Sequence, residues 1–589
     1  FKGLKARAFF AYDYTNLAQK EMKTACTFYT YDSVQDTYNP ITKVAKGELM
    51  EKTQPYYKTT QQYSLNYKNT FNDLHDVEAL ALWEWKETNT NWFMARRYYS
   101  TTSAIPELDR GDVDNMYNEG NSAVYKYGGL VGRLNYVYAG KYMAEFSFRY
   151  DGSYKTAPDK RWGFFPAVSA GWRISEEQFM KDLVPQMDNL KLRASWGSIG
   201  NDSQLNASQF VSGWQFEDRF ILGGAGNSSA SITNGMKEAN LANPNITWYK
   251  VMTTNVGLDG SFWGGKLSFE FDYFYRKTTG YPATRNTSLP TTSGIPLPQE
   301  NLNSSDNRGF ELSLGTVQRI GNVNLQIKGN VAYAREKDLY KEQALPLNQY
   351  KNWRDNGAYR WKNVTWGYEH IGQFQSYDEI YNSPIQDGKG NSSLRPGDIK
   401  YKDLNGDGLI DANDEKVIGK GTFPDLNFGL TLAADWKGFD VNILFQGASN
   451  YTQVLNALTS PFRGPGEGNG FRVWMDSWHK ADYNDPDSEW VPGKFPSLRI
   501  EGNDNNSKKS TYWTTDAYYV RLKSIEIGYT IPKNLLSKVG IEHLRVYANA
   551  YNPLTITNVK YTDPEAIEGW QSFYYPQLKV YSFGVNVSF

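Results

Sequence analysis

Apolar and polar residues alternate along many short segments of this chain. In residues 142–150, apolar side chains occupy every second position, and Glu145, Ser147 and Arg149 lie between them. Residues 267–276 repeat the pattern. A period of two residues predicts β-strands with one apolar and one polar face. About sixteen such segments occur, most of them about ten residues long, which is near the length that a tilted strand needs to cross a bilayer.

Short and long connections alternate between these predicted strands. The short connections lie near residues 72–75, 139–141, 260–264, 318–321 and 436–438. The long polar segments are residues 15–58, 89–123, 199–247, 279–306, 336–424, 448–517 and 552–577. Outer-membrane barrels have short periplasmic turns and long extracellular loops. The pattern therefore predicts an all-β fold, a transmembrane antiparallel β-barrel, in which residues 336–424 and 448–517 are long extracellular loops.

The last segment of the chain, LKVYSFGVNVSF, also alternates and stops on Phe589. A final amphipathic strand that ends on an aromatic residue resembles the assembly signal of bacterial outer-membrane barrels. We therefore expect the C-terminus at the periplasmic side of the outer membrane of a Gram-negative bacterium. The chain begins without Met or a signal peptide, and we expect it to be a processed or partial chain.

Composition narrows the function without changing the predicted fold. Aromatic residues make up 15% of the chain, and 63 basic residues balance 64 acidic ones, so no nucleic-acid partner is predicted. The single cysteine, Cys26, predicts neither a disulfide framework nor a zinc site. No HExxH, GxSxG, Walker or CxxC pattern occurs, and the four histidines are scattered. An enzyme is therefore not expected.

Residues 403–414, DLNGDGLIDAND, have the spacing of a calcium-binding loop. The predicted ligands are the side chains of Asp403, Asn405, Asp407 and Asp414, the Leu409 carbonyl oxygen, and Asp411 directly or through water. Pro396 and Gly397 precede the loop and an alternating segment follows it, so the flanking helices of an EF-hand are not expected. We expect structural Ca²⁺, with Mg²⁺ the lesser candidate. The alternative is a polar turn stabilised by its own side chains.

Four tryptophans lie in the predicted extracellular loops and are candidate substrate-binding residues. They are Trp353, Trp361, Trp474 and Trp478. Exposed indole rings there could stack on sugar rings or hold peptide side chains, and the alternative is that they pack the loops internally. Residues 473–497 contain many apolar side chains, and we expect this segment to fold over the barrel mouth.

Longer segments resemble the SusC/RagA-type TonB-dependent transporters. The segments that carry the resemblance are residues 132–155, 161–180, 190–202, 242–278, 396–419 and 518–534, beginning with GRLNYVYAGKYMAEFSFRYDGSYK and ending with YYVRLKSIEIGYTIPKN. The resemblance covers nearly the whole chain and implies a barrel of about 22 strands. It identifies residues 1–589 as the C-terminal part of that barrel, with the plug domain, the TonB box and the first strands outside this chain.

The resemblance also implies a function and its partners. It implies active import of oligosaccharides or peptides across the outer membrane, energised by the TonB complex. The implied partners are a SusD-like lipoprotein lid, the plug-containing N-terminal part of the same transporter, and outer-membrane lipid. Two alternatives stay open. One is a passive porin of sixteen strands, whose first strand would run in the same direction as the first strand of this part of a 22-stranded barrel. The other is a surface glycan-binding β protein.

Overall fold

Most of the described chain forms β-strands. The computed structural model describes residues 3–99, 105–222, 231–285, 297–344, 346, 348–459, 470–499, 504–536, 540–566, 575 and 577–589. Parts of the predicted long segments therefore lie outside the described residues, namely 100–104, 223–230, 286–296, 345, 347, 460–469, 500–503, 567–574 and 576.

The strands have the following bounds. They are β1 (Leu4–Lys23), β2 (Cys26–Asp32), β3 (Thr37–Val44), β4 (Gly47–Phe71), β5 (His75–Tyr99), β6 (Tyr117–Tyr138), β7 (Tyr142–Ser153), β8 (Trp162–Arg173), β9 (Met187–Asn201), β10 (Gly213–Leu222), β11 (Ser231–Asn240), β12 (Tyr249–Phe262), β13 (Leu267–Thr284), β14 (Gln299–Ile320), β15 (Val323–Tyr340), β16 (Val364–Gly367), β17 (His370–Gln373), β18 (Ile399–Tyr401), β19 (Lys416–Lys420), β20 (Leu426–Trp436), β21 (Phe439–Val454), β22 (His479–Lys480), β23 (Trp490–Val491), β24 (Thr514–Thr530), β25 (His543–Thr557) and β26 (Val580–Ser588).

The helices are short. They are α1 (Gln178–Leu183), α2 (Gln349–Asp355), α3 (Tyr377–Tyr381), α4 (Asn456–Thr459), α5 (Asp504–Ser507) and α6 (Lys533–Leu536), with 3₁₀ turns at Leu108–Arg110, Pro158–Lys160, Ile174–Glu176, Ala412–Asp414 and Arg472–Asp476. Among the described residues, none of these helices has the length and apolar character to cross a membrane.

Sixteen strands form one antiparallel sheet, in agreement with the predicted number. Their order is β1-β4-β5-β6-β7-β8-β9-β12-β13-β14-β15-β20-β21-β24-β25-β26. The other strands form two-stranded sheets, pairing β2 with β3, β10 with β11, β16 with β19, β17 with β18, and β22 with β23. The chain divides into two compact units, which are Phe1–Ser169, Gly197–Lys250 and Gly294–Asn301 for the first, and Ala170–Trp196, Val251–Ser293 and Leu302–Phe589 for the second.

The strands of the first unit are longer than predicted. β4 and β5 each contain 25 residues and pair from Gly47 opposite Tyr99 to Phe71 opposite His75, with a gap in the pairing at Gln54 and Pro55. A bilayer crossing needs only about ten residues, so these strands extend far beyond that length. The prediction of irregular connections at much of 15–58 and 89–123 was wrong there. These polar stretches are rich in Thr, Tyr, Gln and Asn, and backbone pairing between the strands extends through them.

The short connections lie where the sequence predicted them. Residues 72–74 join β4 to β5, with φ angles of 52° at Asn72 and 54° at Asp73, and residues 139–141 join β6 to β7, with φ angles of 51° at Ala139 and 67° at Gly140. Two successive positive φ angles are typical of the type I′ turn, whose twist matches that of the flanking strands. The other predicted short connections also fall between consecutive strands, within a few residues.

In the first unit, apolar side chains of the long strands are exposed and charged side chains pair with each other. On β7, Phe146 and Tyr150 are exposed. On the opposite face, Arg149 Nε donates to Asp151 Oδ2 at 2.8 Å, and Arg149 Nη2 lies 3.7 Å from Glu84 Oε1. This is the reverse of a water-soluble sheet, and it is the arrangement of strands whose outer face contacts lipid.

The second unit shows the same two faces. Arg193 Nη2 lies 2.7 Å from Asp259 Oδ1 and 2.9 Å from Asp272 Oδ2, so three neighbouring strands share one ion-pair cluster. Tyr273, next to Asp272 on β13, is exposed, and Phe583 on β26 is 86% exposed. The alternation read from the sequence therefore corresponds to an apolar exposed face and a charged, internally paired face.

Candidate functional site

Two insertions of the second unit fold together beyond the strands. They are residues 341–425, between β15 and β20, and residues 455–513, between β21 and β24, and we call them together the loop region. Eight of its buried residues form a hydrophobic cluster, which we call the loop core and which consists of Ile399, Tyr401, Ile410, Leu455, Leu458, Trp474, Phe495 and Trp513. Phe374, Ile380 and Leu394 form a second, smaller cluster. Both insertions contribute side chains to the loop core. The loop region is therefore a packed body and not two separate loops.

Buried amide side chains join the two insertions. Gln386 Nε2 donates to Asn505 Oδ1 at 3.0 Å, and the Ile399 N–H donates to Asn506 Oδ1 at 3.0 Å. The Tyr401 hydroxyl donates to the Asn505 carbonyl oxygen at 2.7 Å. Because a buried amide without a partner is costly, these bonds hold the two insertions in one relative position.

Two of the four predicted substrate-binding tryptophans lie in the interior. Trp474 packs against Phe495 and Trp513, with ring centroids 5.2 and 6.1 Å apart. Trp478 is buried, and its Nε1 lies 3.4 Å from Gln373 Oε1. Rings enclosed by protein cannot stack on a substrate, so the structure supports the alternative of internal packing for these two residues.

The other two tryptophans lie near the surface. Trp353 on α2 is 58% exposed, and its ring centroid is 5.6 Å from that of Tyr350. Trp361 is half-buried, and the guanidinium carbon of Arg335 lies 4.3 Å from its ring centroid. The guanidinium group of Arg335 therefore covers one face of the Trp361 ring. A role of Trp353 and Trp361 in substrate binding stays a prediction.

The calcium-type loop, residues 403–414, is attached to the rest of the loop region at its second half. Ile410 belongs to the loop core, and its N–H donates to the Ile385 carbonyl oxygen at 2.8 Å. The Ile385 N–H donates to the Gly408 carbonyl oxygen at 2.9 Å, and the Tyr350 hydroxyl donates to the Asn413 carbonyl oxygen. As predicted, strands flank the loop instead of long helices, with β18 before it and β19 after it, and a 3₁₀ turn forms its last three residues.

The acidic side chains of this loop accept hydrogen bonds from its own backbone. Asp403 accepts from the N–H groups of Gly406 and Gly408 at 2.6 and 2.9 Å. Asp414 is fully buried and accepts from the N–H groups of Leu404 and Asp411 at 2.8 and 2.9 Å. Asp414 therefore closes the loop across its two ends.

The remaining predicted ligands make bonds of the same kind. Asn405 Oδ1 accepts from the Asp407 N–H at 3.0 Å, and Asp407 Oδ1 accepts from the Leu409 N–H at 2.9 Å. Asp411 caps the 3₁₀ turn by accepting from the Asn413 N–H at 2.7 Å. Within the described residues, no group of three or more His, Cys, Asp or Glu side chains converges in a metal-binding arrangement. The oxygen donors suit a hard cation in type, and calcium binding stays a prediction.

A second closed turn precedes the calcium-type loop. Asp387 Oδ1 accepts from the N–H groups of Lys389 and Asn391 at 2.7 and 2.8 Å, and Oδ2 accepts from the N–H and hydroxyl of Ser393 at 3.0 and 2.7 Å. Partial burial opposes ionisation of Asp387, but these hydrogen bonds outweigh it and lower its pKa to about 2.

A cavity of about 870 Å³ lies between the strand ends and the first insertion, within the second unit. Its volume is in the range of about 300–1,000 Å³ that ligand pockets have. Aromatic and charged side chains dominate its lining, namely Tyr281, Arg335, Asp338, Lys341, Arg354, Asp355, Tyr359, Arg360, Trp361, Lys362, Trp366 and Glu415. Of the four predicted tryptophans, Trp361 is the one that lines this cavity.

The charged residues of the cavity were not among the residues predicted from the sequence. Arg354, Arg360 and Lys362 lie between or beside Trp353 and Trp361 in the segment NWRDNGAYRWK. This dense mixture of basic and aromatic residues could have indicated a binding site from the sequence alone. Arg335 and Tyr281 carried no such signal, because they lie in strands and reach the cavity only through the tertiary structure.

Comparison with known proteins gives a consistent result. A family model described as "TonB dependent receptor-like, beta-barrel" matches residues 5–553. TonB-dependent receptor P3 of Formosa agariphila is 28% identical over 99% of this chain and 58% of its own length. TonB-dependent receptor SusC of Bacteroides thetaiotaomicron is 26% identical over 78% of this chain and 43% of its own length. The chain thus spans about half the length of the curated relatives that it matches.

A solved structure has a similar fold. The structure titled "Structure of the RagAB peptide transporter" aligns with 100% of this chain and 60% of its own chain, at a TM-score of 0.75 and 21% identity. This likeness concerns the fold alone. Together with the sixteen-stranded antiparallel sheet, it confirms the predicted all-β barrel fold.

Proposed function

Because this chain belongs to the TonB-dependent receptor β-barrel family, we propose that it is the barrel part of a transporter that imports oligosaccharides or peptides. Members of this family are outer-membrane β-barrels of Gram-negative bacteria, and the family is one of transporters and receptors, not an enzyme class. The observation that carries the proposal is the combination of strands with an exposed aromatic face, a folded loop region, and a ligand-sized cavity between the strand ends and the first insertion.

The proposed partners follow from the relatives. SusC-type similarity supports a SusD-like lipoprotein lid over the extracellular mouth, and family membership supports energy supply by the TonB complex. The plug would come from the N-terminal part of the same transporter. In this proposal the loop region faces outside the cell, the C-terminus lies at the periplasmic side, and Trp353 and Trp361 are available for substrate contact.

Uptake by cells tests the proposal. The full-length gene is deleted from its native bacterium and restored on a plasmid, and uptake of labelled oligosaccharide and peptide pools is measured with and without functional TonB. We expect one pool to enter only when both the transporter and TonB are present. Uptake that needs the transporter but not TonB, together with steady conductance of the purified protein in planar bilayers, would identify a passive porin instead.

We also propose that the calcium-type loop binds Ca²⁺ as a structural brace. Its oxygen donors are of the type that Ca²⁺ takes, and Ile410 connects it to the loop core. Binding would require Asp403 and Asp407 to exchange backbone N–H partners for the cation. The brace would hold the first insertion of the loop region in its folded form.

A further inference from the structure

The cavity carries more positive than negative charge, although the whole chain has a net charge of −1. Among the lining residues that the structure describes, five are basic and three are acidic, which leaves an excess of two positive charges. The basic residues are Arg335, Lys341, Arg354, Arg360 and Lys362. Such a local excess favours an anionic ligand over a neutral one.

Part of this positive charge has no acidic partner. Lys362 Nζ lies 2.7 Å from Glu336 Oε1 and is paired. Arg360 Nη1 donates instead to the Arg354 carbonyl oxygen at 2.5 Å. Across the residues that the structure describes, neither Lys341 nor Arg360 forms an ion pair with a carboxylate. These two cations remain available to a ligand.

Two guanidinium groups are oriented by aromatic rings. The guanidinium carbon of Arg335 lies 4.3 Å from the centroid of Trp361, and that of Arg360 lies 5.8 Å from the centroid of Trp366. A guanidinium group held over a ring keeps its N–H donors at its edge. Such an edge matches the two oxygens of a carboxylate or sulfate.

Two further donors lack an acceptor. Arg335 Nε and Arg354 Nη1 are buried and have no hydrogen-bond partner within the described part of the chain, although Arg335 Nε lies 3.6 Å from Asp425 Oδ2. Buried donors of this kind are uncommon in folded proteins. An oxyanion that draws these side chains toward the cavity would supply the missing acceptors.

An exposed aromatic ring completes the cavity wall. Tyr359 is 72% exposed and has a φ of 59°, a left-handed conformation that non-glycine residues rarely adopt. Backbone strain of this kind concentrates at functional sites. The ring offers a flat apolar surface beside the guanidinium groups, which suits the face of a sugar ring better than an extended peptide.

We propose that this cavity binds oligosaccharides whose sugar rings carry carboxylate or sulfate groups. The inference rests on the proposed function as an importer and narrows its substrate class. Arg360 and Lys341 pair with the anionic groups, the stacked Arg335 offers its N–H edge to them, and Tyr359 contacts the sugar ring.

Binding to the purified full-length transporter in detergent tests this inference by calorimetry. The probes are an oligomer of uronic acid units, the same oligomer after reduction of its carboxyl groups, a sulfated oligosaccharide, and an oligoglutamate peptide. One variant combines Lys341→Gln with Arg360→Gln. A second is Tyr359→Asn, since Asn tolerates positive φ. Lys389→Gln, an exposed cation away from the cavity, is the matched control.

We expect an acidic oligosaccharide to bind at least about tenfold more tightly than the reduced oligomer, which corresponds to about 1.4 kcal/mol. The double variant is expected to remove most of that preference for the acidic oligomer. Tyr359→Asn is expected to weaken oligosaccharide binding. The control is expected to change neither the preference nor the affinity. Equal binding of acidic and reduced oligomers, or binding of oligoglutamate in preference to both glycans, overturns the inference. If the inference fails in this way, TonB-dependent uptake of another substrate would still support the proposed function. Conversely, binding of the acidic glycan without any TonB-dependent uptake would refute the proposed function but not the inference.

Discussion

The long strands and the loop region use the same aromatic residues in opposite ways. On the strands, Phe146 and Phe583 are exposed and charged side chains pair on the other face. In the loop region, Trp474 and Trp513 are buried, and the buried carboxylate of Asp414 accepts hydrogen bonds from backbone N–H groups. The two regions therefore place apolar side chains as two different environments require. The strands expose apolar side chains, as strands in contact with lipid do, whereas the loop region buries them, as a small domain in water does.

The largest effect is expected from truncating the loop core. Trp513 is 1% exposed, and Trp513→Ala should destabilise the loop region by about 3–5 kcal/mol, because the cavity that it leaves cannot fully collapse. Limited trypsin digestion should then cut residues 341–425 and 455–513 faster, while heat-modifiable gel migration of the barrel persists. Trp353→Ala, at an exposed position, serves as the control and should change little. Simultaneous loss of the barrel and the loop region would show that the two regions are not energetically separable.

A charge introduced on the exposed face of a strand should destabilise the barrel and not the loop region. Phe146→Lys should destabilise the barrel by about 2–4 kcal/mol if this face contacts the bilayer interior. The measurement is the folded fraction after refolding into lipid vesicles in urea. Ser147→Lys places the same charge on the opposite face and should cost much less. Equal effects of the two substitutions would contradict the assignment of the faces.

Acid should loosen the loop region through Asp387. Its pKa in the folded protein is about 2, which is below the value of about 3.9 for an unfolded aspartate, so its contribution is present above pH 4 and lost as the pH falls through 2. Pepsin digestion between about pH 4 and pH 2 measures this loss. Asp387→Asn should remove about 2 kcal/mol near neutral pH and flatten the pH dependence. A variant whose acid response equals that of the unmodified protein would argue against this role.

Calcium should have the smallest effect. At about ten times its Kd, Ca²⁺ should stabilise the first insertion by about 1.4 kcal/mol and slow its proteolysis. Asp403→Ala combined with Asp407→Ala should abolish this protection while barrel assembly persists. Identical digestion with calcium and with chelator would show that residues 403–414 are a polar turn held by their own hydrogen bonds.

The strands were predictable because their signal is local. Alternation over about ten residues indicates the two faces, and the ion pairs of Arg149 lie on the predicted polar face. The extension of β4 and β5 was not predictable in this way. Where a strand continues beyond the length of a bilayer crossing, apolar and polar residues need not alternate along it. Hydrogen bonding to the backbone of the neighbouring strand keeps it extended there.

The sequence by itself determined the all-β class, the number of strands, the short turns and the presence of large polar insertions, since each depends on neighbouring residues. Only the tertiary structure decided which tryptophans are buried and which line a cavity. Trp474 and Trp513 meet although 39 positions separate them, and Arg335 reaches Trp361 from a different element. Such contacts depend on how two insertions pack together, and no local pattern of residue types records that packing.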